Sequence, residues 1–194
     1  MTLHNATKAN KTQPELRITT GSAKNKRLKA PSIEGFRAVQ EVAKSALFSI
    51  LGEKVVDTVC LDLFAGSGNL GLEALSRGAA WCDFVDGNGE SILAIVENIK
   101  NCEFGEKAAT FLKDAAKYVA TPENNYDIVF MDPFYKDTAH IHLFKLLPNI
   151  LNDDAVVFFF HSPGLEAQSL LIESDLHVVD ERRFGASVLS ILRI

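Results

Sequence analysis

The chain has 194 residues, of which 47% are hydrophobic and 23% charged, values that suit one soluble globular domain with at most a small appendage. Its net charge of −5 argues against a general nucleic-acid coat protein, and its longest aliphatic and aromatic run, Val156–Phe160, is too short to cross a membrane. Three cysteines without C-x-x-C spacing and five histidines without ligand-like spacing predict reduced core cysteines and no metal site.

The positive charge is concentrated near the start, where residues 1–40 carry eight basic and two acidic side chains. A basic segment on an otherwise acidic body indicates a localised contact with a polyanion. Residues 1–15 lack the apolar core of a signal peptide, and we interpret them as a disordered leader of a cytoplasmic protein. Residues 16–30 alternate apolar and polar side chains around Gly21 and Asn25, which predicts a small basic hairpin.

Helical spacing of apolar residues over 37–51 predicts the first long helix, with Gly52 just past its end. Strands and helices then alternate. The predicted strands are 59–64, 82–85, 109–112, 128–131 and 155–160. The predicted helices are 70–77, 90–100, 115–119, 140–151 and 165–173.

The strands are apolar throughout, which is typical of a parallel sheet covered by helices on both faces. The last two apolar segments, 176–183 and 187–193, are separated by only three residues, so they predict an antiparallel hairpin without a crossover helix. The sequence therefore predicts an α/β, Rossmann-like fold in which a mostly parallel sheet has a reversed strand at its C-terminal edge.

A G-x-G-x-x-G pattern spans Gly66–Gly71, between the first strand and the helix that follows it. This is the fingerprint of a dinucleotide-binding loop, and Asp86, about twenty residues on, closes the second strand where it would bind ribose hydroxyls. Any ligand that contains adenosine fits these features equally well.

Asp62, four residues before Gly66, favours one of these ligands. A pyrophosphate at this loop would meet a like charge at short range, whereas the sulfonium and ammonium groups of S-adenosylmethionine would be attracted. The alternative is that the Asp62 side chain only ties down the loop by a local hydrogen bond.

A second motif, Asp132-Pro133-Phe134-Tyr135, follows the apolar strand at 128–131 and lies at the sheet edge where open α/β proteins bind ligands. The Asp132 carboxylate is suited to hold an exocyclic amine, and Phe134 or Tyr135 to stack on an extruded base. The alternative is an ordinary turn with buried aromatic residues. Asp114 similarly suits either the adenine amino group or the N-cap of the next helix.

Together these motifs resemble the RsmD family, class I methyltransferases that modify guanine N2 in bacterial 16S rRNA. The resemblance covers residues 16–194, and it is most specific in Leu61–Ala79 (LDLFAGSGNLGLEALSRGA). It implies an N-terminal basic hairpin and helix at 16–52 and a methyltransferase domain at 53–194. The implied cofactor is S-adenosylmethionine. The implied cofactor-binding residues are Asp62, Phe64, Ala65, Gly66, Ser67, Gly68, Asp86, Gly87, Asp114 and Ala115.

The resemblance also implies a catalytic motif at Asp132, Pro133, Phe134 and Tyr135, with ribosomal RNA, free or in an assembling small subunit, as the partner of a monomeric enzyme. The sequence departs from the family pattern in two motifs. Phe134 replaces the second proline of Asp-Pro-Pro-Tyr, and of the family's Arg-Pro-Thr-Thr-Asp only Arg37 is retained. The predicted phosphate contacts are Lys24, Lys26, Arg27, Lys29 and Arg37.

Three other functions remain compatible with these residues. An adenine-N6 or other nucleic-acid amino methyltransferase shares the Asp-Pro-x-Tyr pattern. A non-catalytic RNA-binding or ribosome-assembly protein on the same fold would account for Phe134. An NAD-dependent oxidoreductase would account for the glycine loop, although Asp62 opposes it.

Overall fold

The structure, a computed structural model, describes residues 16–134 and 142–194. None of the helices in these ranges is long and apolar enough to cross a membrane. The strands are β1 (Val59–Leu63), β2 (Trp81–Asp86), β3 (Ala108–Leu112), β4 (Tyr126–Met131), β5 (Leu151–His161), β6 (His177–Phe184) and β7 (Ser187–Arg193). The α-helices are α1 (Glu41–Leu51), α2 (Asn69–Ser76), α3 (Gly89–Cys102), α4 (Ala115–Val119) and α5 (Leu143–Leu146).

All seven strands belong to one sheet with the order β3-β2-β1-β4-β5-β7-β6. Neighbours among β1–β5 pair in parallel, whereas β7 is antiparallel to both β5 and β6. The predicted α/β fold, with a mostly parallel sheet and a reversed C-terminal strand, is confirmed. Because β7 lies between β5 and β6, the reversed strand is one position in from the edge, and β6 forms the edge itself.

The strands are apolar throughout because both faces of the sheet are covered. In β4, for example, Phe130 faces one hydrophobic cluster and Val129 and Met131 face the other. The first cluster contains the hairpin, α1, α2 and α3, and the second contains α4 and α5. Alternate residues of each strand therefore stabilise opposite sides of the same molecule.

Two of the predicted helices are wrong in extent. In place of a helix over 140–151 the described part shows a single α-turn, α5, then a 3-10 turn at Leu147–Ile150, and Leu151 already begins β5. Pro148 lacks a backbone N–H and therefore cannot continue an α-helix. In place of a helix over 165–173 there is one 3-10 turn, Ala167–Leu170, because few side chains there face the core.

The N-terminal segment forms the predicted hairpin. The backbones of Arg17 and Arg27 form an antiparallel β-bridge, and Ile18 N–H donates to the Lys26 carbonyl at 3.0 Å. Ile18 and Leu28 enter the same core cluster as α2 and α3, so the hairpin is packed onto the sheet-covering helices. Residues 37–40, predicted as helical, precede α1, and Gln40 is extended. Residues 1–15, interpreted above as a leader, lie outside the described residues.

Candidate functional site

The loop between β1 and α2 has the backbone geometry that the glycine pattern predicts. Gly66 and Gly68 have φ angles of 56° and 74°, which favour glycine, and Gly68 stands at the N-cap of α2. A Cβ at Gly71 would lie 2.5 Å from Phe84 Cε1 and 2.6 Å from Cys82 Sγ, so this glycine permits α2 to pack closely on β2. The loop thus forms a tight backbone turn at the sheet edge where β1–β5 end, hereafter the carboxyl edge.

Asp62 lies behind this loop, with only 2% of its surface exposed. Its Oδ2 accepts a hydrogen bond from Gly71 N–H at 2.9 Å, so the loop-tying contact considered from the sequence is present. Burial, together with the neighbouring charges of Asp132 and Asp86, raises the pKa of Asp62 well above its usual value. Asp132 and Asp86 therefore lie close enough to Asp62 to disfavour the ionisation of its carboxyl.

Asp86, at the end of β2, also holds the glycine loop. Its Oδ2 accepts from Gly66 N–H at 2.9 Å and its Oδ1 from Asn88 N–H at 2.8 Å. Gly87 beside it is exposed. Each carboxylate oxygen has a second lone pair, so these contacts leave acceptor capacity for a ligand hydroxyl. The sequence predicted the position of Asp86 but not its contact with Gly66.

Asp132 immediately follows β4 at the carboxyl edge. Burial raises the pKa of its carboxyl to about 7, and the nearby positive charge of Arg37 opposes this increase. Pro133 is buried, whereas the Phe134 side chain is 57% exposed beside it. Tyr135 lies outside the described residues. A large exposed aromatic side chain next to a half-buried carboxyl is unusual for a core-packing turn.

Asp114 and Ala115 lie at the same edge, after β3. Asp114 is the N-cap of α4, and its Oδ1 accepts from Lys117 N–H at 3.0 Å. The N-cap interpretation of Asp114 is therefore confirmed as a contact, while its exposure leaves the carboxylate accessible to a ligand. Ala115 is buried in the cluster that contains α4.

Phe36 is a site residue that sequence reasoning missed. A Cβ at Gly66 would lie 2.8 Å from Phe36 Cε2, so the ring lies directly against the glycine loop. With Arg37 close to Asp132, the segment before α1 reaches both halves of the site. Nothing in the local pattern singles out Phe36, because its contact is with a residue thirty positions away.

No group of three or more histidine, cysteine or acidic side chains in residues 16–134 and 142–194 has the arrangement of a metal site. The carboxyl-edge site instead consists of a tight glycine loop, the carboxylates of Asp62, Asp86 and Asp132, and the exposed ring of Phe134. A family model described as conserved hypothetical protein 95 matches residues 16–193 of this chain. The chain belongs to this family, the RsmD family of methyltransferases.

Three relatives illustrate the match to the RsmD family. YlbH of Bacillus subtilis (strain 168) is 30% identical over 183 residues, which cover 92% of this chain and 98% of YlbH. Ribosomal RNA small subunit methyltransferase D of Escherichia coli (strain K12) is 31% identical over 146 residues, covering 74% of this chain and 73% of that protein. The solved structure of yhhF from Escherichia coli is 25% identical, with a TM-score of 0.78 over 92% of this chain and 97% of that one.

The RsmD match includes the basic hairpin, where two of the five predicted phosphate-binding side chains are paired with glutamates at α3. Lys26 Nζ lies 3.3 Å from a Glu103 carboxylate oxygen, just past the C-terminus of α3. That end of α3 lies at the edge of the sheet opposite Asp132, because α3 returns antiparallel to the strands. Lys29 Nζ lies 2.6 Å from Glu97 Oε2, further up the same helix. Lys24, Arg27 and Arg37 are exposed.

Proposed function

We propose that the protein transfers a methyl group from S-adenosylmethionine to the exocyclic N2 amine of a guanine in small-subunit ribosomal RNA. The observation that carries the proposal is the position of the Asp132 carboxyl beside Asp62 and Asp86 at the glycine loop. The cationic methyl donor and the guanine amine that accepts the methyl group would thereby lie on either side of this cluster of carboxylates. The rRNA methyltransferase relative from Escherichia coli supports the substrate class.

The residues of the loop fit S-adenosylmethionine better than a dinucleotide. Besides burial, the negative charges of Asp132 and Asp86 raise the pKa of Asp62, because the three carboxylates are neighbours. Three neighbouring carboxylates suit a ligand with two positive charges and would repel a pyrophosphate. Within the described residues, the buried Oγ of Ser67 lacks a hydrogen-bond partner, which is the state expected of a group that pairs with a ligand. We assign the methionine end to Asp62 and to Phe64, Ala65, Gly66, Ser67 and Gly68, the ribose to Asp86 and Gly87, and the adenine to Asp114 and Ala115.

On this proposal, the chain's own residues mainly position the target. The cofactor supplies an electrophilic methyl group on a sulfonium. Asp132 and the Pro133 carbonyl accept hydrogen bonds from the guanine amine, while Phe134 or Tyr135 stacks on the base. The amine nitrogen bonds to the methyl carbon, the carbon–sulfur bond breaks, and the extra proton on nitrogen passes to Asp132 or to water. Because the amine is weakly basic, orientation and charge placement contribute more than strong general-base catalysis.

The remaining parts of the proposal concern the partner and the setting. We infer that the substrate is ribosomal RNA, either free or in an assembling small subunit, and that Lys24, Lys26, Arg27, Lys29 and Arg37 contact its phosphates. We infer that the enzyme acts as a monomer in the cytoplasm.

The test is methyl transfer onto ribosomal RNA from cells that lack this protein, followed by mass spectrometry of the nucleosides. We expect N2-methylguanosine in small-subunit RNA. N6-methyladenosine would instead favour an adenine methyltransferase. Calorimetric titration with S-adenosylhomocysteine and with NADH accompanies the assay, since absent binding of the first favours an assembly protein and binding of the second an oxidoreductase.

Asp132→Ala is the variant that separates binding from transfer. Among the described residues, Asp62 and Asp86 accept hydrogen bonds from the backbone of the glycine loop and Asp132 does not, so we expect this variant to bind S-adenosylhomocysteine and to lose methyl transfer. Full transfer by Asp132→Ala would overturn the role assigned to this carboxyl.

A further inference from the structure

The side chain of Asn98, on α3, joins the basic hairpin to the glycine loop. Its Oδ1 accepts from Lys29 N–H at 2.8 Å, and its Nδ2 donates to the Lys29 carbonyl at 2.9 Å. The same Nδ2 donates to the Ser67 carbonyl, also at 2.9 Å. Because an amide has two N–H donors, both donors of Asn98 are engaged, one by the hairpin and one by the loop.

This connection is buried, which makes each of its bonds costly to break. Asn98 is 2% exposed and Ser67 is 1% exposed. A buried donor that loses its partner is penalised by its full desolvation, so displacement of Lys29 or of Ser67 is resisted by the other through the same amide. The two segments therefore constrain each other, although they are far apart in sequence.

The two ends of the connection lie where the two proposed ligands would bind. The Lys29 side chain is exposed, and its Nζ lies 2.6 Å from Glu97 Oε2, so a phosphate that binds Lys29 would compete with this carboxylate and shift the residue. Ser67 belongs to the glycine loop that we assign to the methionine end of the cofactor. Through Asn98, the backbone of Lys29 is thus connected to the carbonyl of Ser67, a cofactor-loop residue.

We propose that Asn98 is a positioning residue that couples RNA binding at the hairpin to cofactor binding at the glycine loop. The inference rests on the proposed function for the identity of the two ligands. Coupling of this kind is reciprocal: RNA changes the affinity for the cofactor by the same factor by which the cofactor changes the affinity for RNA. Asn98 adds this link between the two sites without itself touching either ligand.

The chain offers a matched control in Asn101, one turn further along α3. Its Nδ2 donates to the Arg27 carbonyl at 2.9 Å, so it also binds the hairpin backbone, but within residues 16–134 and 142–194 it makes no hydrogen bond to the glycine loop. Asn98→Leu and Asn101→Leu are therefore the same chemical change, with and without loss of the connection. Asn98→Ser, a smaller change at the same position, is measured alongside in case Asn98→Leu does not fold.

The first measurement needs no RNA. Amide hydrogen exchange of the full chain is followed with and without saturating S-adenosylhomocysteine, in peptides that contain Lys29. We expect the ligand to slow exchange in the hairpin of the wild type and of Asn101→Leu, and not of Asn98→Leu. Equal slowing in Asn98→Leu, or none in a wild type that binds the ligand, would overturn the coupling and leave the proposed function intact.

The second measurement is the affinity for S-adenosylhomocysteine with and without a fragment of small-subunit ribosomal RNA. We expect RNA to change this affinity by about fivefold or more in the wild type and in Asn101→Leu, and by less than twofold in the Asn98 variants. A purely structural role for Asn98 would weaken both affinities but leave their ratio unchanged, which would overturn the proposal.

The two measurements also separate this inference from the proposed function. A wild type that binds no S-adenosylhomocysteine would overturn both. A wild type that binds it but no RNA would overturn the RNA half of the function and of the coupling, while hydrogen exchange still decides whether Asn98 connects the hairpin to the loop.

Discussion

Asp132 has an unusual pKa for a carboxyl group, and this has a consequence for catalysis. Burial raises the pKa to about 7, so a large fraction of the unliganded protein is protonated at neutral pH. A protonated carboxyl accepts hydrogen bonds from an amine poorly and cannot take up the amine's proton. The ionised form is therefore the active form on our proposal.

We expect kcat/KM to rise with pH with a midpoint near 7 and to be about tenfold lower at pH 6 than on the plateau. The midpoint for kcat should lie lower, because a bound cation favours the ionised carboxyl. Arg37→Gln removes a charge that opposes the raised pKa and should move the kcat/KM midpoint to higher pH. Steady-state rates between pH 5.5 and 8.5 test this, and a flat kcat/KM over that range would contradict it.

Asp62 allows a second prediction at the scale of one residue, because Asn can replace its hydrogen bond but not its charge. In Asp62→Asn the amide oxygen still accepts from Gly71 N–H. Since the pKa of Asp62 is raised in the folded state, its ionisation destabilises the protein as pH rises above the unfolded pKa, and the variant should be at least as stable as wild type at pH 7.

The same variant should bind S-adenosylmethionine about tenfold more weakly, which corresponds to about 1.4 kcal/mol. Thermal unfolding and calorimetric titration together check both statements. Unchanged affinity in Asp62→Asn would mean that this carboxyl serves only the loop, the alternative that the sequence left open.

At the scale of elements, α1, α2 and the hairpin are joined by a buried ion pair. Lys44 Nζ lies 2.9 Å from Glu73 Oε2, and both side chains are almost fully buried. Lys44 also donates to Asn69 Oδ1 and to the Arg17 carbonyl, each at 2.7 Å, while Glu73 accepts from Thr19 N–H at 2.8 Å. Burial lowers the pKa of Lys44, whereas for Glu73 burial is outweighed by Lys44 and Thr19, which hold its pKa below the usual value.

Lys44→Met should therefore destabilise the fold by about 3 kcal/mol, since it removes the buried counter-charge of Glu73 and leaves only Arg77, whose Nε lies 2.9 Å from Glu73 Oε1. Lys26→Met, which breaks the exposed pair with Glu103, should cost less than about 1 kcal/mol. Urea unfolding at pH 7 compares the two variants. Because the pKa of Glu73 is lowered on folding, its contribution should be lost as pH falls below the unfolded value near 4. Similar costs for the two lysines would contradict the importance of the buried pair.

Whether a strand or helix could be predicted from the sequence depended on how many of its side chains face the core. Strands such as β4 are apolar on both faces, so composition alone located them. The segment after β5 could not be predicted as well, because its isolated apolar residues also fit a helix, and only the packing of Ala167 and Leu171 limits it to one turn.

In the site, topology placed Asp86 and Asp132 at the carboxyl edge, but the contacts of Phe36 and Asn98 with the glycine loop arise from tertiary packing that no local pattern encodes.

At the scale of the whole molecule, the positive charge of the hairpin is partly offset by α3. Lys29 is paired with Glu97 on this helix, and Lys26 with Glu103, which caps the C-terminus of the helix. An RNA phosphate that binds either lysine must compete with a carboxylate already in place. On our proposal Glu97 and Glu103 therefore limit the affinity of the hairpin for RNA and favour a substrate that also binds at Arg37 and Asp132.

Glu97→Gln and Glu103→Gln should for this reason increase RNA affinity, each by up to about fivefold, because an exposed ion pair is worth at most about 1 kcal/mol. The gain should shrink as salt is raised, since these charges are exposed and screened. Glu106→Gln, on the turn just after α3, changes the net charge equally and serves as the control. Fluorescence anisotropy with a labelled fragment of small-subunit ribosomal RNA, repeated from about 50 to 200 mM salt, measures all three. If Glu106→Gln raised the affinity as much as the other two, net charge rather than the paired lysines would control RNA binding, and the hairpin would lose its place in the interface.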